Sequence, residues 1–130
     1  MKTLFLTLVI MIASLSSFGQ RHETLLNVIV SDFIDETDGY IEDQSTDDEG
    51  SFAYLKISEA LPFTFIIRAS RIIANSYSDV EVIQHWTRMK EDELKGYSSL
   101  WEITTEDKTY MLWLFYMEDT SALALRCAPY

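Results

Sequence analysis

The 130-residue chain has a single cysteine, Cys127, so no intramolecular disulfide can staple it and its stability must come from packing. A lone cysteine can act as a nucleophile or an intermolecular crosslink. No Cys-His spacing accompanies this one, and a small buried residue in the last strand is the expectation. Histidine is almost as scarce, with only His22 and His85. His22 falls near the start of the exported chain, where order is usually poor. His85 is expected at a sheet surface beside Trp86, with a catalytic role as the alternative. Nothing in the spacing of His22, His85 and Cys127 predicts their convergence on zinc. The chain also lacks a G-x-S-x-G elbow, a glycine-rich phosphate loop, H-E-x-x-H and C-x-x-C. This leans against an enzyme and implies no cofactor, although 21 acidic residues always offer carboxylate pairs to a hydrolase.

Positive charge is the other shortage. Lys2 supplies a short basic start, Leu4 to Ala13 is apolar except for Thr7, and Ser14 to Gly19 supplies small residues suited to a signal peptidase. Residues 1–19 are therefore expected to be a cleaved export signal, because the apolar run is shorter than the roughly 20 residues needed to span a bilayer. No cysteine follows the run to carry a lipid anchor, and the short basic start is bacterial in style. The expected destination is the periplasm or the extracellular space, with no membrane span after cleavage.

Cleavage after Gly19 leaves 111 residues, one domain at residues 20–130, with 9 basic residues against 21 acidic ones and a net charge of −12. Such a surface argues against nucleic acid, which requires clustered lysine and arginine, and is compatible with a basic protein partner.

From Glu23 to Asp35, polar Thr24, Asn27, Ser31 and Asp35 recur at helical steps, leaving a wide apolar face. Residues 35–50 then carry eight acids and no base, and an exposed acidic loop is expected there. Its carboxylates, Asp43, Asp47, Asp48 and Glu49, are weak candidates for calcium. Placing Gly50 at the glycine position of an EF-hand puts Ser45, Asp47 and Glu49 at ligand positions, but Lys56 then stands where the bidentate glutamate belongs.

Residues 51–61 fit a short helix or a strand. Pro62 is a good first helical residue, and Thr64, Arg68, Arg71, Asn75 and Ser78 form one polar stripe on a helix whose other faces should be covered. Arg68 and Arg71 could bind an anion, while pairing with the chain's own acids or simple exposure is preferred. Residues 80–88 are read as a strand rather than a helix capped at Ser78 and ended at Gly96, followed by a charged turn at 90–96. Tyr97 to Thr104, Thr109 to Met117 and Ser121 to Cys127 form three strands of an antiparallel meander. Tyr110 to Met117 shows no polar alternation, so both faces of that middle strand should be covered, the second by more of the chain, a ligand cavity or a partner.

The expected fold is α+β, with two or three N-terminal helices packed on a C-terminal antiparallel meander sheet of three to four strands. That outline is similar in shape to cystatin-like or NTF2-like domains, a likeness that assigns no function. The expected function is a non-enzymatic protein-binding module of an inhibitor-like or toxin-neutralising type. Trp101, Trp113, Phe115 and Tyr116 would meet a basic or aromatic-accepting protein, with a homodimer as an alternative. A second class is a small-ligand pocket between the sheet and the helix at 62–77, hydrolytic or not, with Arg68, Arg71 or His85 as polar groups.

Overall fold

A computed structural model describes residues 21–57, 62–89, 95–106 and 108–130. The expected signal peptide and most of the turn at 90–96 lie outside the described residues. Within them the order is α1 (Arg21–Thr37), β1 (Tyr40–Thr46), β2 (Ser51–Lys56), α2 (Pro62–Ser76), β3 (Val80–Met89), β4 (Gly96–Thr104), β5 (Thr109–Met117) and β6 (Ala122–Pro129).

In α1 the apolar positions Leu25, Leu26, Ile29, Val30 and Phe33 are buried, while Thr24, Asn27 and Ser31 face water as their spacing predicts. The helix ends at Asp38, whose φ of 54° is left-handed and whose amide donates to the Ile34 carbonyl at 3.0 Å. Gly39 follows because the chain passes so close to β2 that a Cβ there would lie 2.5 Å from the Lys56 carbonyl oxygen. In α2, Phe65, Ala69, Ile72 and Ile73 are buried but Ile67 is 50% exposed, so this helix is covered over less of its circumference than its apolar content implied.

The acidic segment is not a loop. It comprises the end of α1, the edge strand β1 and a tight turn, with the Asp47 amide donating to the Gly50 carbonyl at 3.0 Å. Residues 51–56 are strand, which resolves the ambiguity there, and residues 80–89 are strand as read. The sheet therefore has six antiparallel strands in the order β1-β2-β6-β5-β4-β3, not three or four. It is also not a purely C-terminal meander following the helices. The β1-β2 hairpin lies between the two described helices in sequence and joins the sheet by pairing β2 with β6, from Ser51↔Cys127 to Lys56↔Ala122. That insertion departs from the helices-then-sheet outline.

Both helices pack on one face of this sheet, α1 against β2 and β6 and α2 towards β3. Successive strand residues point to opposite faces, so the core takes one parity from each strand. It comprises Ala53 and Leu55 from β2, Leu123, Leu125 and Cys127 from β6, Leu112, Leu114 and Tyr116 from β5, and Trp101 and Ile103 from β4. Phe65 of α2 stacks on Tyr116 with ring centroids 4.3 Å apart and tilts against Phe33 of α1 at 6.2 Å, joining both helices to the sheet. The Trp86 indole donates to the Ser70 hydroxyl at 2.9 Å, fastening β3 to α2.

Candidate functional site: the open face of the sheet

The opposite parity of the same strands makes the second face. Directly paired residues share a face, so the register itself lays it out. Across one row run Phe52, Arg126, Trp113 and Leu100; across the next run Tyr54, Ala124, Phe115 and Ser98. Met117 and Met111 extend the β5 column in either direction, opposite Ala122 and Ala128. No described helix or strand lies over this face. Trp113 and both methionines are half-buried by their neighbours alone, and Phe115 is 37% exposed. The Arg126 guanidinium sits over the Trp113 ring, 5.5 Å from its centroid, and a second cation, Lys56, shares the face opposite Ala122 with its Nζ donating to the Thr120 carbonyl at 3.0 Å.

The relief of the face follows from side-chain size. Strand β6 contributes Ala122, Ala124 and Ala128, between the Phe52 and Tyr54 ridge of β2 and the Met111 to Met117 ridge of β5. The ridge strands are two strand spacings apart, about 10 Å. Ala122 is 0% exposed and Ala124 and Ala128 8%, so the flanking aromatic and thioether side chains close over these methyl groups and leave a shallow apolar face interrupted by Arg126. Acids surround it: Asp43 lies beside Tyr54 on β1, Asp47 and Glu49 lie at the hairpin turn near Arg126, and Glu81 pairs with Glu102 on β3 and β4.

The structure separates the four aromatic candidates. Trp113 and Phe115 stand on the open face, whereas Trp101 (7% exposed) and Tyr116 (1%) belong to the core and have no surface to offer a partner. The Trp101 indole is satisfied internally by the Ser99 hydroxyl at 2.9 Å. His85 is exposed on edge strand β3, in a stretch where the register with β4 shifts between Gln84 and Thr87.

Arg68 and Arg71 do not point between the sheet and α2, where Phe65 and Tyr116 fill the space. They line a cleft of about 370 Å³ on the outer side of the two helices, with Asp32, Asp35 and Glu36 of α1 opposite. The cleft therefore holds three acids and two arginines. Asp32 is further held by the Ser76 hydroxyl, 2.9 Å from its Oδ2.

The acidic turn is organised by its own backbone. Asp47 Oδ1 accepts from the amides of Glu49 and Gly50 at 2.8 and 3.0 Å, and Asp43 Oδ1 accepts from the Gln44 amide at 2.9 Å. Among the described residues no three His, Cys, Asp or Glu side chains are gathered so as to hold a metal, so Asp43, Asp47, Asp48 and Glu49 form no such cage and His22, His85 and Cys127 do not converge. His22 is not at a loose end: it is 2% exposed, and its Nε2 donates to the Asp47 carbonyl at 2.9 Å, fastening the first turn of α1 to the hairpin. Cys127 is buried in β6, as its sequence context suggests, and burial pushes its thiol up to about 12.

Phe52, Tyr54, Leu100, Met111, Met117, Arg126 and the three alanines are members of the face that sequence reasoning missed. The available signal was the alternation of Ser51-Phe52-Ala53-Tyr54-Leu55-Lys56, which places two aromatic residues on one side of a strand. No family model matches this chain, and no curated protein or solved structure matches it. Its function is therefore argued from the geometry of the face. Among the described residues no helix is long and apolar enough to cross a membrane.

Proposed function

We propose that the chain is an exported, non-enzymatic protein-binding module that docks its partner on the open face of the sheet. The observation that carries this reading is the aromatic and thioether surface around Trp113 and Phe115, which no described element covers. The apolar residues of this face are contiguous across four strands rather than scattered singly, and aromatic residues with arginine are the side chains that most often anchor an interface. The acidic surroundings favour a basic partner through steering and exclusion of acidic competitors. The cleft at Arg68 and Arg71 supports a small-ligand reading less well, because it lies outside the space between the sheet and α2 where that reading places its pocket.

The test uses mature protein, residues 20–130, as bait for secreted and envelope proteins of the producing cell, with Trp113→Ala and Phe115→Thr baits alongside. A stoichiometric protein retained by the parent bait and lost from both variants, with circular dichroism unchanged, is the expected result. Equal retention by all three baits would contradict docking on this face.

A further inference from the structure

We propose that a second copy of the chain covers the open face while no other partner is bound, the two sheets stacking face to face about a twofold axis that runs between β5 and β6. The inference rests on the docking reading and names what occupies the face in the partner's absence.

Shape follows from the strands. A face that is shallow rather than grooved fits another flat surface, and apolar sheet faces pack about 10 Å apart with their strands within about 30° of one another. Strands β2, β6, β5 and β4 are each paired on both sides, so the main chain offers nothing to an extended segment lying above it and side chains alone make the contact. Both edges of the sheet resist growth instead. The register of β1 shifts between Ile41 and Asp43, where the Asp43 carboxylate accepts from the Gln44 amide, and the register of β3 shifts twice. The unbroken apolar run of β5 is that of a strand covered on both sides.

Register follows from symmetry. The order β2-β6-β5-β4 is centred between β6 and β5, so a twofold axis along that line lays β5 over the second copy's β6 and β2 over its β4. Each residue near the axis then faces the second copy's version of its own cross-strand neighbour. Phe115 meets the second copy's Ala124 and Met117 its Ala122, so the bulky column of β5 does not stack on itself. Trp113 meets the second copy's Arg126, which places each guanidinium between two indole rings. Charge is complementary in the same arrangement, because Lys56 and Arg126 stand on β2 and β6 whereas Glu102 and Glu81 stand on β4 and β3. An axis across the strands would set each strand on its own copy, cations over cations. Arg126 also keeps Asp47 and Glu49 in its own small cleft, so its charge stays countered when water leaves the face.

The size of the face sets the strength. It measures about 19 Å across four strands and about 20 Å from Met111 to Met117. Two footprints of about 400 Å² remove about 1,000 Å² of surface once side-chain relief is counted, the low end for a specific association, and a Kd on the order of tens of micromolar follows. Below about 5 µM the chain is then a monomer with its face open. Net charges of −12 repel two copies at long range, and salt screens that repulsion, so the dimer tightens as salt rises. The same repulsion lets a basic protein displace the second copy.

Sedimentation equilibrium of mature protein, residues 20–130, from about 5 to about 500 µM should show a monomer–dimer equilibrium, at least about threefold tighter in about 0.5 M than in about 0.05 M sodium chloride. Phe115→Thr should weaken it at least about tenfold, and Leu100→Ser, on the same face, serves if that variant misfolds. Ile67→Thr, at a residue 50% exposed on the helical side, should leave it within about twofold. Benzoyl-phenylalanine at position 115 should crosslink to residues 122–128 of the other copy, told apart from its own by isotopic labelling.

A monomer throughout the range, a dimer loosened by salt, a dimer indifferent to the face variants in folded protein, or a crosslink to the other copy's helices would overturn the inference. If a different protein is captured and lost on Trp113→Ala while the chain stays monomeric, docking stands and the second copy does not. If the dimer forms through Phe115 and no other protein is captured, the second copy stands and the separate partner falls.

Discussion

Leu114 and Phe115 are neighbours on β5 whose side chains point to opposite faces, and replacing each with threonine isolates the difference between the faces. Leu114 is fully buried, so Leu114→Thr removes core methyl groups, leaves a cavity and buries a hydroxyl, a loss of about 3 kcal/mol. Phe115 is 37% exposed, and threonine keeps its strand preference, so Phe115→Thr loses only the part of the ring already sheltered, about 1 kcal/mol. At roughly 4 °C per kcal/mol for a domain of this size, Tm should fall by about 12 °C and about 4 °C respectively. Urea unfolding followed by far-ultraviolet circular dichroism, at two protein concentrations, gives both values, with unchanged slopes confirming that the same transition is compared. Equal losses would refute the reasoning, because they would mean that Phe115 is covered in solution as completely as Leu114.

Three further outcomes follow from other parts of the fold. A Cβ on Gly96 would lie 1.9 Å from the Tyr116 carbonyl oxygen, so Gly96→Ala should cost about 3 kcal/mol by forcing β4 from β5, measured by the same urea titration. His22→Ala should cost about 1–2 kcal/mol and speed hydrogen exchange of the amides at the 47–50 turn, because the Asp47 carbonyl loses its donor. The thiol of Cys127 ordinarily ionises near 9 and is pushed up to about 12 by burial. The folded state therefore holds a proton that the unfolded chain releases, so its contribution is whole below about pH 9 and is lost as pH rises towards 12. Stability should fall across that window, less steeply in Cys127→Ala, and a thiol reagent should react only on unfolding. Tyr77, raised by burial and then by Cys127, will contribute to the same decline.

Helices α1 and α2 were legible because each buries one face and wets the other, which writes a period near 3.6 into the residues. The three C-terminal strands were legible from their lengths and the polar turns between them. Strand β1 was not, because every residue from Tyr40 to Ser45 is exposed, so burial leaves no alternation to read, and Glu42 and Asp43 hide the strand preference of Tyr40 and Ile41. The pairing of β2 with β6 joins residues more than sixty positions apart, and no local pattern encodes it.

For the site, the absence of polar alternation in Tyr110 to Met117 predicts that both faces of β5 are covered, whereas among the described residues only one is, and Phe115 on the other is 37% exposed. It also concealed which parity meets the helices, since Trp113 and Phe115 read the same as Leu112, Leu114 and Tyr116. Hence Tyr116 and Trp101 were grouped with residues on the other side of the sheet. Arg126 was overlooked because its significance depends on Trp113 lying beside it, which only the register of β5 against β6 reveals.

The account stands most directly on what touches Phe115 where the protein works. A photoreactive benzoyl-phenylalanine at position 115, in cells making the full chain, should give one discrete higher-mass adduct under light. The same group at position 67, where Ile67 is 50% exposed on the helical side, should give none. An adduct from position 67 alone, or the same adducts from both, would contradict docking on the open face of the sheet.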